Sequence, residues 1–290
     1  SQMRVFGDRF YAHYSPQADM FLGANGYEYD LQITGLGTHH GLDDGCVTCH
    51  MATKVNGSSI QSNHQMGMVD ENGKDIVTSC QTCHGKAVTS FHDIKAATDY
   101  DGNGKIEAVI TEIDNMLARL KASLPLDASG EPITMKADYA KDSASWKAHP
   151  EWYSGVWNYY FVKNDWSHGI HNTKYAAALL TAAVGKITGV DMLDQNRPNG
   201  FDLQQNYPNP FNPSTTIKFS VSRAADVNIS VFSSTGELVA TLASGNVLPG
   251  NYSAKWDATN VASGMYFYRM TATVNGVQTV NLTKKMMLVK

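Results

Sequence analysis

Two short motifs constrain this chain more than anything else in it: Cys46-Val-Thr-Cys49-His50 and Cys80-Gln-Thr-Cys83-His84, 34 residues apart. They contain every cysteine of the 290-residue sequence. Cys-x-x-Cys-His is the attachment signal of c-type haem. Two thiols with two residues between them reach the two vinyl groups of one porphyrin, and the following His is delivered beneath the iron. A zinc ribbon also uses two Cys-x-x-Cys pairs, but with a gap of about 15–20 residues, whereas 30 residues separate Cys49 from Cys80. Nor does a ribbon need a His after both pairs. A thioredoxin-like site wants one motif in a βαβ setting, which is missing here. A disulfide framework competes only in an exported chain. The expected cofactors are therefore two haem c groups, held by Cys46, Cys49, Cys80 and Cys83, with His50 and His84 as proximal ligands.

Histidine follows the same asymmetry. All ten lie between His13 and His171, and the 119 residues after His171 contain neither His nor Cys. Charge changes along the chain as well. From Tyr207 onward there are seven Lys+Arg and three Asp+Glu, a net of +4, so the remainder carries 16 minus 24, or −8. The Asn/Pro/Gln-rich run 194–206 reads as a linker. The expected domains are 1–193, a dihaem c-type cytochrome domain, and 207–290, a β-sandwich, joined by 194–206. The overall charge of −4 argues against nucleic acid as a partner. The most apolar stretch, Tyr175 to Val190, is broken by Gly185, Lys186 and Gly189, which predicts no membrane span. The opening Ser-Gln-Met-Arg carries no signal peptide, although a mature exported chain would have lost one.

Hydrophobic periodicity predicts helices in the first region and strands in the second. Ile106, Val109, Ile110, Ile113, Met116, Leu117 and Leu120 recur at helical spacing over about 105–122. Further helices are expected over about 145–163 and over 173–184, the latter with Asn172 as cap and Gly185 as stop. Segments 23–45 and 51–79 read as irregular. After the linker, short alternating runs at 215–221, 226–232, 238–242, 252–256, 265–270 and 278–282 alternate with turn signals, the pattern of an antiparallel sandwich. The fold class expected is multi-domain: a mainly α, loop-rich multihaem domain followed by an all-β immunoglobulin-like sandwich.

The sixth iron position decides what such a haem does. A second His closes it and leaves an electron carrier, whereas an open position admits a substrate. Beyond His50 and His84, eight His remain: His13, His39, His40, His64, His92, His149, His168 and His171. The runs Thr38-His39-His40, Asn63-His64-Gln65 and Ser167-His168-Gly169-Ile170-His171-Asn172, set around the two motifs, resemble the C-terminal haem region of the cytochrome c nitrite reductase superfamily. The resemblance covers roughly residues 10–185. It implies distal ligands at His39, seven residues before Cys46, for the first haem (His50/His39), and at His171 for the second (His84/His171). His40 and His168 are the respective runners-up. His64 matches a position that serves a haem bound earlier in the family's chains, and none is left for it here. It stands between ligating a neighbouring subunit's haem, ligating one on an upstream segment, and being a spare surface His; His13 poses the same question. The Lys-ended motif of the family's nitrite-binding haem is missing, so nitrite reduction does not carry over.

Asp99-Tyr-Asp101-Gly-Asn103-Gly104-Lys105-Ile106-Glu107 resembles the start of a calcium loop, but its twelfth position falls on Ile110 instead of a bidentate Glu. Two readings stand: calcium held by Asp99, Asp101, Asn103, Lys105 and Glu107, or a polar turn before the helix. The aromatic crowd Trp152 to Trp166 reads as packing on haem and core. Asn206-Tyr-Pro-Asn-Pro-Phe-Asn-Pro, with Gly264-Met-Tyr-Phe-Tyr-Arg269 and the closing Lys284-Lys-Met-Met-Leu-Val-Lys290, resembles the C-terminal sorting domain of type IX secretion. This implies export to the bacterial surface or medium, with short edge strands able to pair with neighbours. The expectation is an extracellular electron carrier rather than an enzyme, with bis-His haems. Its partners are other redox proteins or extracellular acceptors, and copies of itself stacked into a haem-lined filament. The alternative is a haem-dependent reductase of a small nitrogen or sulfur species with an open axial site.

Overall fold

The computed structural model describes residues 12, 15–29, 33, 37–42, 44–51, 53–56, 59–62, 68–70, 72–134, 138, 143–194 and 198–290. The first region is held by three helices that meet in one apolar core. They are α4 (Val109–Ala122), α6 (Glu151–Lys163) and α7 (Thr173–Ile187). In α4 the periodic residues Ile113, Met116 and Leu120 are fully buried, as the 3–4 spacing predicts. Helix α7 is buried nearly all round, because its Ala-rich sequence lets α4 and α6 approach from two sides. Asn172 caps it, its side chain accepting from the Tyr175 N–H at 3.2 Å.

Two expected boundaries move, each for a steric reason. The helix expected over 145–163 divides into α5 (Ser143–Ala148) and α6, parted at His149-Pro150, because proline disfavours helix in the residue before it. Gly185 does not stop α7. The helix continues to Ile187, and Gly185 instead allows close packing: a Cβ there would lie 3.2 Å from the Val190 carbonyl oxygen.

The remaining elements of this region are short. They are α1 (Gln17–Leu22), α2 (Cys46–His50), a hairpin of β1 (Thr53–Asn56) and β2 (Ser59–Ser62), and α3 (Gln81–His84). The expectation of a mainly α multihaem domain is therefore overturned. Helix is a minority, 28% of the structure, and the N-terminal region is small and does not form a large helical multihaem domain. The physical reason lies in α2 and α3, of five and four residues, which bury no side chain of their own. Segments that bury nothing gain little from extending a helix.

The second region is a sandwich of two four-stranded sheets. One has the order β10 (Val277–Leu288), β9 (Gly264–Val274), β6 (Ala225–Ser233), β7 (Leu238–Val247). The other has β3 (Asp191–Asp194), β8 (Gly250–Asp257), β5 (Ser214–Val221), β4 (Asp202–Leu203). Strands β3 and β4 come from chain before Tyr207, so the stretch expected as linker is partly woven into the sheet. Alternation along β9 turns Tyr266, Tyr268, Met270 and Ala272 inward against Phe219, Tyr252 and Trp256. The Tyr268 hydroxyl donates to the Gln204 carbonyl at 2.8 Å and accepts the Asn206 N–H at 2.9 Å. Burial pushes this phenol up to about 12.

Backbone hydrogen bonds join the regions. The Ser244 N–H donates to the Thr188 carbonyl at the end of α7, and the Ala224 N–H donates to the Gly102 carbonyl, both at 3.2 Å. Gly102 has φ +74, and a Cβ there would sit 2.8 Å from the Ala224 nitrogen, so only glycine fits this turn without displacement.

Candidate haem centre

Each Cys-x-x-Cys-His motif forms one short helix. Entry to α2 runs through Asp44 and Gly45, both left-handed, and α3 ends on Gly85 at φ +91. These tight ends place the two Cys and the His of each motif on a single turn. All four cysteines are free thiols, with Cys46 and Cys83 exposed and Cys49 and Cys80 half-buried. Burial pushes the Cys49 and Cys80 thiols up, and each also lies near enough to sense cysteines of the other motif. The motifs are neighbours: the Ser79 hydroxyl donates to the Cys49 carbonyl at 3.1 Å.

The His of each motif faces a second imidazole. The rings of His84 and His39 stand 6.3 Å apart, and those of His50 and His171 stand 5.9 Å apart. Two imidazoles bound on opposite sides of one ion, with metal–nitrogen bonds of about 2 Å, put their centroids roughly 6 Å apart. The residues present therefore fit haem ligation. The facing pairs cross the expected ones: His39, from the loop leading into the first motif, faces the second motif's His, and His171 faces the first motif's.

One turn, Asp165–His171, orients the rings of both His39 and His171. The His171 Nδ1–H donates to the buried Asp165 carboxylate at 2.6 Å, and the His39 Nδ1–H donates to the Ile170 carbonyl at 3.1 Å. A hydrogen bond at Nδ1 fixes the tautomer and leaves Nε2 for a metal. The Ser167 hydroxyl is held by the other Asp165 oxygen and accepts the His171 N–H at 3.2 Å. The turn contains two non-glycine left-handed residues, Trp166 (φ +61) and His168 (φ +49), and Gly169 at φ +87. Such residues persist only where surrounding contacts over-determine them. Here those contacts are buried Asp165 on one side and the Asn172 cap on the other. Gly37 completes the arrangement. A Cβ there would lie 3.1 Å from the His171 carbonyl oxygen, so the absence of a side chain lets the 37–42 turn settle against the Asp165–His171 turn.

The runners-up sit elsewhere. His40 stacks on Phe21 with centroids 6.1 Å apart. His168 is exposed, and its Nδ1 lies 2.7 Å from Asp114, whose carboxylate raises the imidazole's pKa. His149 stacks on Trp152 beside Glu151, and His92 is exposed. His13 and His64 lie outside the described residues.

The calcium-like segment folds as an acidic turn. Asp99, Asp101 and Glu112 bring carboxylate oxygens within 4.8 Å of one another, and all three are buried. Lys105 is exposed, and Glu107 accepts from the Asn103 amide at 2.6 Å; neither belongs to the cluster. Asp99 accepts the N–H groups of Gly102 and Gly104, at 2.6 and 2.8 Å. Asp101 accepts the Asn103 N–H and the Asn115 amide, and Glu112 accepts the Asp101 and Glu107 N–H groups. The polar-turn reading accounts for these bonds, and burial raises the pKa of Asp101 and Glu112. Sequence reading missed Glu112, two positions beyond the end of the calcium pattern, and it missed Asp165. The signal for Asp165 was a lone acid six residues before a candidate ligand.

Two Cys-x-x-Cys-His motifs side by side are the mark of a c-type cytochrome. The chain belongs to the cytochrome c552 family, whose model matches residues 17–196, and haem c is the cofactor this implies. Residues 205–288 match the secretion system C-terminal sorting domain, which indicates export to the cell surface or extracellular space. Among the described residues, no helix is long and apolar enough to cross a membrane. No curated protein matches the chain. Among solved structures, dimeric latent PorU from Porphyromonas gingivalis is 27% identical over 33% of this chain, with a TM-score of 0.28. The match covers 10% of the PorU chain. CopC from Methylosinus trichosporium OB3b is 18% identical over 31% of this chain and 93% of its own, with a TM-score of 0.23.

Proposed function

We propose that the chain is an exported electron carrier holding two haem c groups. One is attached at Cys46 and Cys49 between His50 and His171, the other at Cys80 and Cys83 between His84 and His39. The observation that supports this most directly is the pair of opposed imidazoles, at 6.3 and 5.9 Å, on neighbouring motifs. When bound, haem supplies a one-electron couple that a closed axial shell confines to electron transfer. The chain's own contribution is geometric. Asp165 and Ile170 hold the distal rings in one tautomer, so little has to move when the charge at either site changes. The Ser79–Cys49 contact keeps the motifs adjacent, which favours exchange between the two sites.

The family includes nitrite reductases, and a reductase needs an open axial position. Electron paramagnetic resonance of the oxidised holoprotein discriminates. Only low-spin bis-His signals, together accounting for two haems per chain, are expected. A high-spin fraction near one half would replace the carrier by the reductase. The carrier reading extends to assembly, because two haems span a short path and exported copies stacked end to end lengthen it. Microscopy of native material should then show filaments, and uniform monomers would remove that extension.

A further inference from the structure

The two distal imidazoles are held by chemically different acceptors. His39 Nδ1 donates to a neutral backbone carbonyl, Ile170, at 3.1 Å. His171 Nδ1 donates to the carboxylate of Asp165 at 2.6 Å, a side chain with no solvent exposure. The second Asp165 oxygen is engaged by the Ser167 hydroxyl, so the carboxylate is aimed and fixed. A carboxylate behind a ligating imidazole makes that ligand more basic and electron-rich. Its negative charge, buried and little screened, favours the more positive oxidation state of whatever metal lies beyond the ring.

We infer that Asp165 is the residue that makes the two haem sites unequal, lowering the reduction potential of the His50–His171 site relative to the His84–His39 site. This rests on the bis-His reading above and adds a direction to it. An electron held at the His50–His171 site runs downhill to the other, one site being oxidised as its neighbour is reduced, with no proton displaced. The Asp165–His171 turn thereby does two things: it positions both distal rings and biases the transfer between them. Asp165 acts through His171 and is a positioning and tuning residue.

The test is potentiometric titration of the full-length holoprotein, followed by electron paramagnetic resonance. His171→Ala first identifies which low-spin signal belongs to its site. In the wild type that signal should report the lower couple. In Asp165→Asn, which keeps shape and removes charge, both haems should stay low-spin. The same signal's oxidised-to-reduced ratio at fixed potential should fall by about tenfold or more. Asp114→Asn, beside exposed His168, should move neither couple. Unmoved couples in a low-spin Asp165→Asn protein would overturn the inference, as would a shift confined to the signal that survives His171→Ala. Should Asp165→Asn fail to fold, the wild-type titration still decides: coincident couples, or the His171 signal at the higher potential, refute it. A wild type without bis-His haem would instead refute the carrier reading itself.

Discussion

The two regions of this molecule each close around an apolar core and differ in what that core leaves out. The sandwich closes around its own side chains. Phe219, Tyr252, Trp256, Tyr268 and Met270 are buried between two sheets whose strands satisfy one another's backbone groups. Among the described residues of the N-terminal region a comparable core gathers around α4, α6 and α7 and takes in Met20 of α1 and Trp146 of α5. The short helices of the two Cys motifs, α2 and α3, bury none of their own residues. A domain that fills its own core can act as an address label on any cargo. Under the proposed function, haem packed on those two helices would add the burial they lack.

Three variants test that contrast, taken from the largest effect to the smallest. Cys46→Ala with Cys49→Ala removes one attachment site. Mass spectrometry should show one haem lost, and limited proteolysis should open the chain between α1 and α4 while a fragment near 203–290 survives. Loss of the sandwich as well would show that the regions fold as one unit. Trp256→Ala should cost about 3–5 kcal/mol of sandwich stability by leaving a cavity. The haem absorption spectrum should not change; a spectral change would couple the sandwich to the haem site. The smallest effect is expected at Glu131, which joins Lys163 at 2.8 Å, Lys121 at 2.9 Å and the Tyr159 hydroxyl at 3.1 Å. The Lys163 contact, followed by Lys121 and Tyr159, holds this carboxyl at about 2 instead of 4.5. Because the folded value is the lower one, the stabilisation is present above pH 4.5 and fades as pH falls towards about 2. Partial exposure limits it to about 1 kcal/mol. Glu131→Gln should therefore lower the melting temperature at pH 7 and leave it unchanged near pH 2. An equal loss at both pH values would mean that shape, not charge, is what Glu131 contributes.

Legibility in the sequence followed the range of the interaction. The attachment motifs and the Asn172 cap depend on residues two or three apart, and both read directly from the order of amino acids. The sandwich was legible because alternation and turn residues repeat strand after strand. Helix content was overestimated because the apolar spacing that is real in α4 says nothing about the turns that carry Cys46–His50 and Cys80–His84. Family resemblance singled out His39 and His171, but not which motif His each one faces. Pairing depends on how the 37–42 and 165–171 turns meet across 131 residues of chain, from Ile170 to His39. Glu112 escaped notice because it reaches the acidic turn from a helix, outside the spacing that the loop pattern inspects.

The sequence by itself carried the two Cys-x-x-Cys-His motifs and the export domain, because motif spacing and strand alternation are local chemistry. Only the tertiary structure decided which imidazole faces which, and that one distal ring rests on a buried carboxylate and the other on a carbonyl. Those outcomes rest on the close approach that Gly37 permits and on the left-handed turn at Trp166 and His168, where contacts between distant segments outweigh local preference.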